Sequence, residues 1–188
     1  MGVILASSSP RRKELLKKII PSFSIMPADI DENVKERETP RAYVARMAEE
    51  KTLTIAEKFP EDIVIGCDTT VVLGNSIMGK PQNDTEARFM LKRLSGLTHE
   101  VLTSVYIKTP KKIYRQSEVV QVRFYKLDDS DIENYIKTGE HRDKAGAYGI
   151  QGQGALFVKE IRGDYYSIVG FPIGFVNQAM KDIFKEED

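Results

Sequence analysis

Ile63-Val64-Ile65-Gly66-Cys67-Asp68-Thr69-Thr70-Val71-Val72 is the stretch around which the rest of the chain is arranged. Three β-branched apolar residues precede the acid and two follow it, which predicts a buried strand on both sides. The apolar run breaks at one carboxylate, Asp68. A carboxylate fixed there has a defined position and a half-desolvated environment. Metal binding and general-base catalysis both need that. An acid that merely ends a strand and faces water is the commoner case, so support must come from elsewhere in the chain.

The segments flanking this run read as alternating helices and strands. Val3-Ile4-Leu5-Ala6 predicts a strand, and Ser9-Pro10 opens a helix with a cap and an N1 proline. Leu15, Leu16, Ile19 and Ile20 line that helix, which Pro21 ends. Ser7, Ser9, Arg11 and Arg12 therefore lie on a strand-to-helix turn. Cations are disfavoured at a helix N-terminus, and an anion between the arginines removes the conflict. Ser22 to Met26 reads as a strand, followed by an acidic loop with Asp29, Asp31, Glu32 and Glu36. Thr39-Pro40 opens a second helix, whose apolar stripe runs to Phe59. Lys51 falls on that stripe, seven residues after Val44, where a lysine either snorkels or points at a ligand.

Downstream of the central run, Gly74-Asn75 predicts a hairpin with Ser76 to Met78. Gly79-Lys80-Pro81 sets a lysine beside a glycine on a stiffened stretch. Asn83 and Glu86 suggest a capping box for a helix to Leu94. Val101, Thr103, Val105 and Ile107 alternate as a strand, and Ile113 to Phe124 returns as a longer one. Asp128 caps a helix that Gly139 closes. Asp143-Lys144-Ala145-Gly146-Ala147-Tyr148-Gly149-Ile150-Gln151-Gly152-Gln153-Gly154 is glycine-rich, and its glycines let backbone N–H groups approach a ligand. Gln151 can both donate and accept, as reading a base edge requires, and Tyr148 can stack or hydrogen-bond. Ala155 to Ile161 and Tyr165 to Val169 read as strands joined by a tight turn. A last helix starts at Gly170-Phe171-Pro172, and an acidic tail follows it.

Composition narrows the function classes. The 188 residues suit one domain, with two lobes and no separable linker. The 28 basic residues balance 28 acidic ones, which argues against nucleic acid as the main partner. The single cysteine allows no internal disulfide and fits a reducing compartment. Four apolar residues near the start are too few for a signal peptide or a membrane span, so the expectation is a soluble cytoplasmic protein. Walker and dinucleotide glycine fingerprints are absent, and neither His99 nor His141 has a partner at zinc-ligand spacing. What remains is a set of cations, Arg11, Arg12, Lys51, Lys80 and Lys144, spread over separate segments. A triphosphate needs such a cradle. Asp68 and Glu32 offer oxygen ligands for a divalent cation.

Several stretches then resemble one family in order. Ser7-Ser8-Ser9-Pro10-Arg11-Arg12-Lys13-Glu14-Leu15-Leu16 is similar to the opening S-x-S-P-R-R-x-E-L-L of the Maf family. Gly66-Cys67-Asp68-Thr69-Thr70-Val71-Val72, Gly79-Lys80-Pro81, Ser95-Gly96-Leu97-Thr98-His99, Asp143 through Gly152 and Val169-Gly170-Phe171-Pro172 resemble its other signatures. Cys67, His141 and Phe171 stand where alanine, proline and leucine are common. The resemblance implies an α/β fold, ITPase-like, with a long mixed twisted sheet flanked by helices and two lobes around a deep cleft. It implies a nucleoside triphosphate pyrophosphatase acting on dTTP and UTP, modified pyrimidine triphosphates included, with a divalent metal, Mg²⁺ or Mn²⁺. Asp68 would be the catalytic carboxylate, and Glu32 with Asp68 would hold the metal. Arg11, Thr69 and Gln151 would set substrate choice. Ser7, Ser9, Arg12, Lys51, Lys80 and Lys144 would bind the nucleotide and its phosphates. The competing reading is a non-catalytic nucleotide-binding regulator of cell division. Oligomeric state stays open, a homodimer included.

Overall fold

Local signals start and stop the helices of this computed structural model, which describes residues 1–185; the acidic tail at 186–188 lies outside them. The elements are β1 (Val3–Leu5), α1 (Pro10–Lys17), β2 (Ser24–Ile25), α2 (Pro40–Ala56), β3 (Ile63–Leu73), β4 (Ser76–Met78), α3 (Asp84–Leu94), β5 (Thr98–Lys108), β6 (Ile113–Phe124), α4 (Asp129–Thr138), β7 (Val158–Arg162), α5 (Tyr165–Val169) and α6 (Ile173–Lys185). The Thr39 hydroxyl accepts the Ala42 N–H at 3.2 Å and starts α2. The Asn83 side chain accepts the Glu86 N–H at 2.9 Å and starts α3. The Glu86 carboxylate reaches the Gln82 N–H instead of closing a box on Asn83. Asp128 and Asp131 do form a reciprocal box on α4, and Gly139 ends that helix at φ 74°.

The strands form one mixed seven-stranded sheet in the order β2-β1-β3-β5-β6-β7, with β4 paired to β3. β1 runs parallel to β2 and β3, and Ile4 lies opposite Ser24 and Val64. β3 and β4 are antiparallel, as are β6 and β7. The expected mixed sheet flanked by helices is the one found. β5 differs from its alternating pattern, being buried on both faces from Val101 to Ile107. Thr103 is wholly buried within it.

The chain divides into two compact units, and it passes between them inside β3, β5 and β6 and before Gly170. The first comprises Met1–Asp68, Thr103–Glu118 and the chain from Gly170 onward. Part of its core is Ile4, Ala6, Ile55, Ala56 and Val64, with Met26, Ala28 and Phe59 packed against them. The second comprises Thr69–Leu102 and Val119–Val169. Its core includes Met90, Leu91, Leu94, Phe124, Tyr135, Tyr148 and Phe157. The aromatic rings there meet edge to face, Phe124 on Tyr148 at 4.7 Å and Tyr135 on Phe157 at 5.0 Å.

Two strand expectations fail in the second unit. Tyr165–Val169 is a helix, because the Asp164 carboxylate accepts the N–H and the hydroxyl of Ser167 at 2.8 and 2.6 Å and so caps a helical turn. Ala155 to Phe157 belong to a 3₁₀ turn, Gln153–Phe157, and the strand begins only at Val158. Gly154 packs so closely on the Gly149 backbone there that a Cβ would lie 2.5 Å from the Gly149 carbonyl oxygen. No helix among the described residues is long and apolar enough to cross a membrane.

Candidate active site

A missing side chain places the central carboxylate. A Cβ on Gly66 would lie 2.1 Å from Thr52 Oγ1 and 2.8 Å from the Ala48 carbonyl, so only glycine lets β3 come this close to α2. Thr52 Oγ1 donates to the Ala48 and Tyr106 carbonyls at 2.7 and 3.1 Å, so its hydroxyl is satisfied in the core. Val64, Gly66 and Asp68 alternate onto one face of the strand. Lys51 precedes Thr52, and its ammonium meets Asp68 Oδ1 at 2.7 Å.

The same ammonium meets Glu32 Oε1 at 2.7 Å. Two carboxylates thus converge on one nitrogen. The Lys51 and Asp68 side chains are each 12% exposed, whereas Glu32 is half-exposed. Burial pulls the Lys51 pKa down, but the charges and hydrogen bonds of Asp68 and Glu32 outweigh it and leave the pKa raised. Lys51 therefore stays charged. It does not snorkel from the apolar stripe but turns onto Asp68 and Glu32. Nearby, burial and the charges of Asp68 and Glu32 push Tyr43 up to about 12.

The β1–α1 turn lies in the same unit. Ser9 caps α1, although its bond to the Arg12 N–H is long at 3.5 Å. Arg12 turns inward, donating to the Gly170 carbonyl at 2.9 Å and to Ser7 Oγ at 3.1 Å. The Cys67 thiol donates to the same carbonyl at 3.1 Å, and burial raises its pKa to about 11, so it stays protonated. Gly170 presents that carbonyl from φ 109°, a backbone conformation closed to other residues. Arg11 is half-buried. Burial lowers its pKa and the charge of Arg12 lowers it further.

The second unit holds Thr69, Lys80, Lys144 and Gln151. Lys80 and Gln151 are exposed and Thr69 is half-buried. The Gly146 N–H donates to the Gly79 carbonyl at 3.1 Å, which ties the two lysine-bearing loops together. Tyr148 does not present its ring as a stacking platform. It is buried, and its hydroxyl meets His99 Nε2 at 2.8 Å. The Tyr135 hydroxyl accepts the Gly149 N–H at 3.1 Å and Glu140 accepts the Gln153 N–H at 2.8 Å. The glycine-rich stretch is thus hydrogen-bonded on either side of Gln151. The sequence marks Tyr148 as a candidate and Tyr135 only as a helix residue, and it gives no such sign for Glu140, Tyr43 and Arg46. The only signal for the last two is that they precede Lys51 by eight and five residues on one helix.

Comparisons with known proteins bear on these residues together. The family described as Maf-like protein matches residues 2–183. The chain belongs to the Maf family. It is 50% identical over 187 residues to the dTTP/UTP pyrophosphatase of Clostridioides difficile (strain 630), covering 98% of this chain and 96% of that one. It is 47% identical over 171 residues to the dTTP/UTP pyrophosphatase of Pyrococcus furiosus, covering 91% and 90%. A solved HAM1 protein from Coxiella burnetii covers 97% of this Maf chain and 99% of its own, with a TM-score of 0.57 at 13% identity, a likeness of fold.

Proposed function

We propose that this Maf protein is a nucleoside triphosphate pyrophosphatase that hydrolyses dTTP and UTP to the monophosphate and pyrophosphate. The observation that carries the reading is Asp68, buried on a mostly buried strand and held through one oxygen by Lys51. The names of the Clostridioides and Pyrococcus relatives support the choice of substrates. The half-buried Arg11 at the start of α1, beside the like charge of Arg12, is suited to an anion, since the helix end adds N–H groups. Thr69 and Gln151 would discriminate the base, and Ser7, Ser9, Arg12, Lys80 and Lys144 would hold the phosphates.

Asp68 accepts the proton of a water through Oδ2 while Lys51 holds Oδ1. The water oxygen attacks the α-phosphorus, and the bond to the α–β bridging oxygen breaks with its electron pair. Pyrophosphate leaves. Such transfers need little covalent help, so positioning and charge stabilisation carry most of the rate. The donor set fits a divalent cation, because two oxygen-donor carboxylates, Glu32 and Asp68, already converge on one positive group. When bound, that cation would neutralise triphosphate charge. A reducing, cytoplasmic setting suits the protonated, buried Cys67.

Pyrophosphate release, measured with Mg²⁺ over a panel of canonical and modified triphosphates, tests the reading. The expected result is turnover of dTTP and UTP above purine triphosphates, with kcat lowered at least ~10²-fold by Asp68→Asn. Binding without turnover would leave the regulator reading standing, and an Asp68→Asn variant with unchanged kcat would remove Asp68 from the mechanism.

A further inference from the structure

The segment that carries Glu32 has no regular structure between Met26 and Pro40, yet Glu32 must reach a point fixed by α2 and β3. Helix α2 supplies the means. The Tyr43 hydroxyl donates to the Glu32 carbonyl at 3.0 Å, and Arg46 Nη2 donates to the next carbonyl, that of Asn33, at 2.9 Å. Two consecutive carbonyls are therefore gripped by side chains three residues apart on one helix. Arg46 also forks onto Glu38, Nε to Oε1 at 2.6 Å and Nη2 to Oε2 at 2.7 Å, and meets Glu50 at 3.2 Å. The Arg46 and Glu38 side chains are only 15% and 8% exposed, unlike an ordinary surface ion pair. Glu38 further accepts the Lys35 N–H at 2.9 Å. It closes a turn in which Arg37 stands at φ 59°, a costly left-handed conformation for a residue other than glycine.

We propose that Arg46 is a positioning residue, which with Glu38 and Tyr43 clasps the acidic segment to α2 so that the Glu32 carboxylate meets Lys51 and Asp68. This rests on the pyrophosphatase reading of the same site. The carboxylate is delivered by an irregular segment, and the fork of a guanidinium fixes both the distance and the orientation of that segment. A lysine at 46 would keep the charge and lose the fork.

A double-mutant cycle decides it. Arg46→Ala is expected to lower kcat/KM for dTTP between about 10-fold and 10²-fold, the range for a catalytic group displaced by about an ångström. In a Glu32→Gln background the same substitution should cost almost nothing more, because Arg46 acts through Glu32. Arg46→Lys should recover only part of the loss. Arg88→Ala, which breaks another forked Arg–Glu pair, on Glu133, should leave activity unchanged. If Arg46→Ala does not fold, Tyr43→Phe removes a single hydroxyl from the clasp and is put through the same cycle. Additive losses, or wild-type turnover in Arg46→Ala, would overturn the proposal. Hydrogen exchange of the amides at 31–38 gives a second arm that needs no activity, and faster exchange in Arg46→Ala is expected. If the wild-type chain releases no pyrophosphate, the pyrophosphatase reading fails by itself, and unchanged exchange would then sink the clasp independently.

Discussion

Lys51 is a largely buried cation between two acids, and its removal would take away the ammonium on which Asp68 and Glu32 converge. Breaking a buried pair by deleting one partner costs roughly 3–5 kcal/mol, and the half-exposed Glu32 can relax, so about 3 kcal/mol is expected for Lys51→Met. In a chain of this size that lowers Tm by roughly 6 °C or more. A thermal scan in chelator and again in Mg²⁺ checks both the loss and the oxygen-donor reading. Mg²⁺ should restore part of the Tm, because a ligand that binds only the folded state stabilises it. A variant as stable as wild type, or one indifferent to Mg²⁺, would count against two carboxylates sharing one cation.

At the scale of elements, the packing of β3 on α2 decides where Asp68 meets Lys51. The apolar run of β3 makes it a strand, but its approach to α2 depends on Gly66. Gly66→Ala would drive a methyl into the Thr52 hydroxyl and against the Ala48 carbonyl and the Thr52 N–H, the last two being backbone that cannot swing aside. The expected cost is about 1–3 kcal/mol, the usual range for overpacking a filled core. A denaturant titration should show the lower midpoint. Activity should fall with it at temperatures where the variant is still folded, since Lys51 and Asp68 lie one and two residues from the clash. An equally stable and fully active variant would show that the two elements have slack.

The whole molecule adds a dependence on pH that no single site reveals. His99 is buried among Phe124 and Tyr148, and burial lowers its pKa from 6.5 to about 4. The unfolded chain therefore binds a proton between those pH values that the folded chain refuses. The stability linked to His99 is complete above about pH 6.5, declines as the pH falls toward 4 and levels off below. The full loss is on the order of 3 kcal/mol. Equilibrium unfolding of wild type and His99→Gln from pH 7 to 4 should show a steeper decline in the wild type. Parallel curves would mean that His99 takes up its proton in the folded state. Glu38, held down to about 2 first of all by its hydrogen bond from Arg46, adds its own loss only below about pH 4.5.

Much of this protein was legible along the chain because the signals are local. β-branched runs predicted β3, cap residues started α2, α3 and α4, and linked motifs pointed to the Maf family and to Asp68. Even so, Tyr165–Val169 shows where local reading loses, since a five-residue segment rich in β-formers is helical beside one capping carboxylate. Sequence alone determined most of the elements and the family, and it singled out Asp68 as the candidate acid. The partners of Lys51, the inward turn of Arg12, the burial of Tyr148 and the clasp of Arg46 on Glu38 were decided only in three dimensions. Propensity and periodicity act over a few residues, whereas which charges desolvate together depends on segments that meet only after the chain has packed.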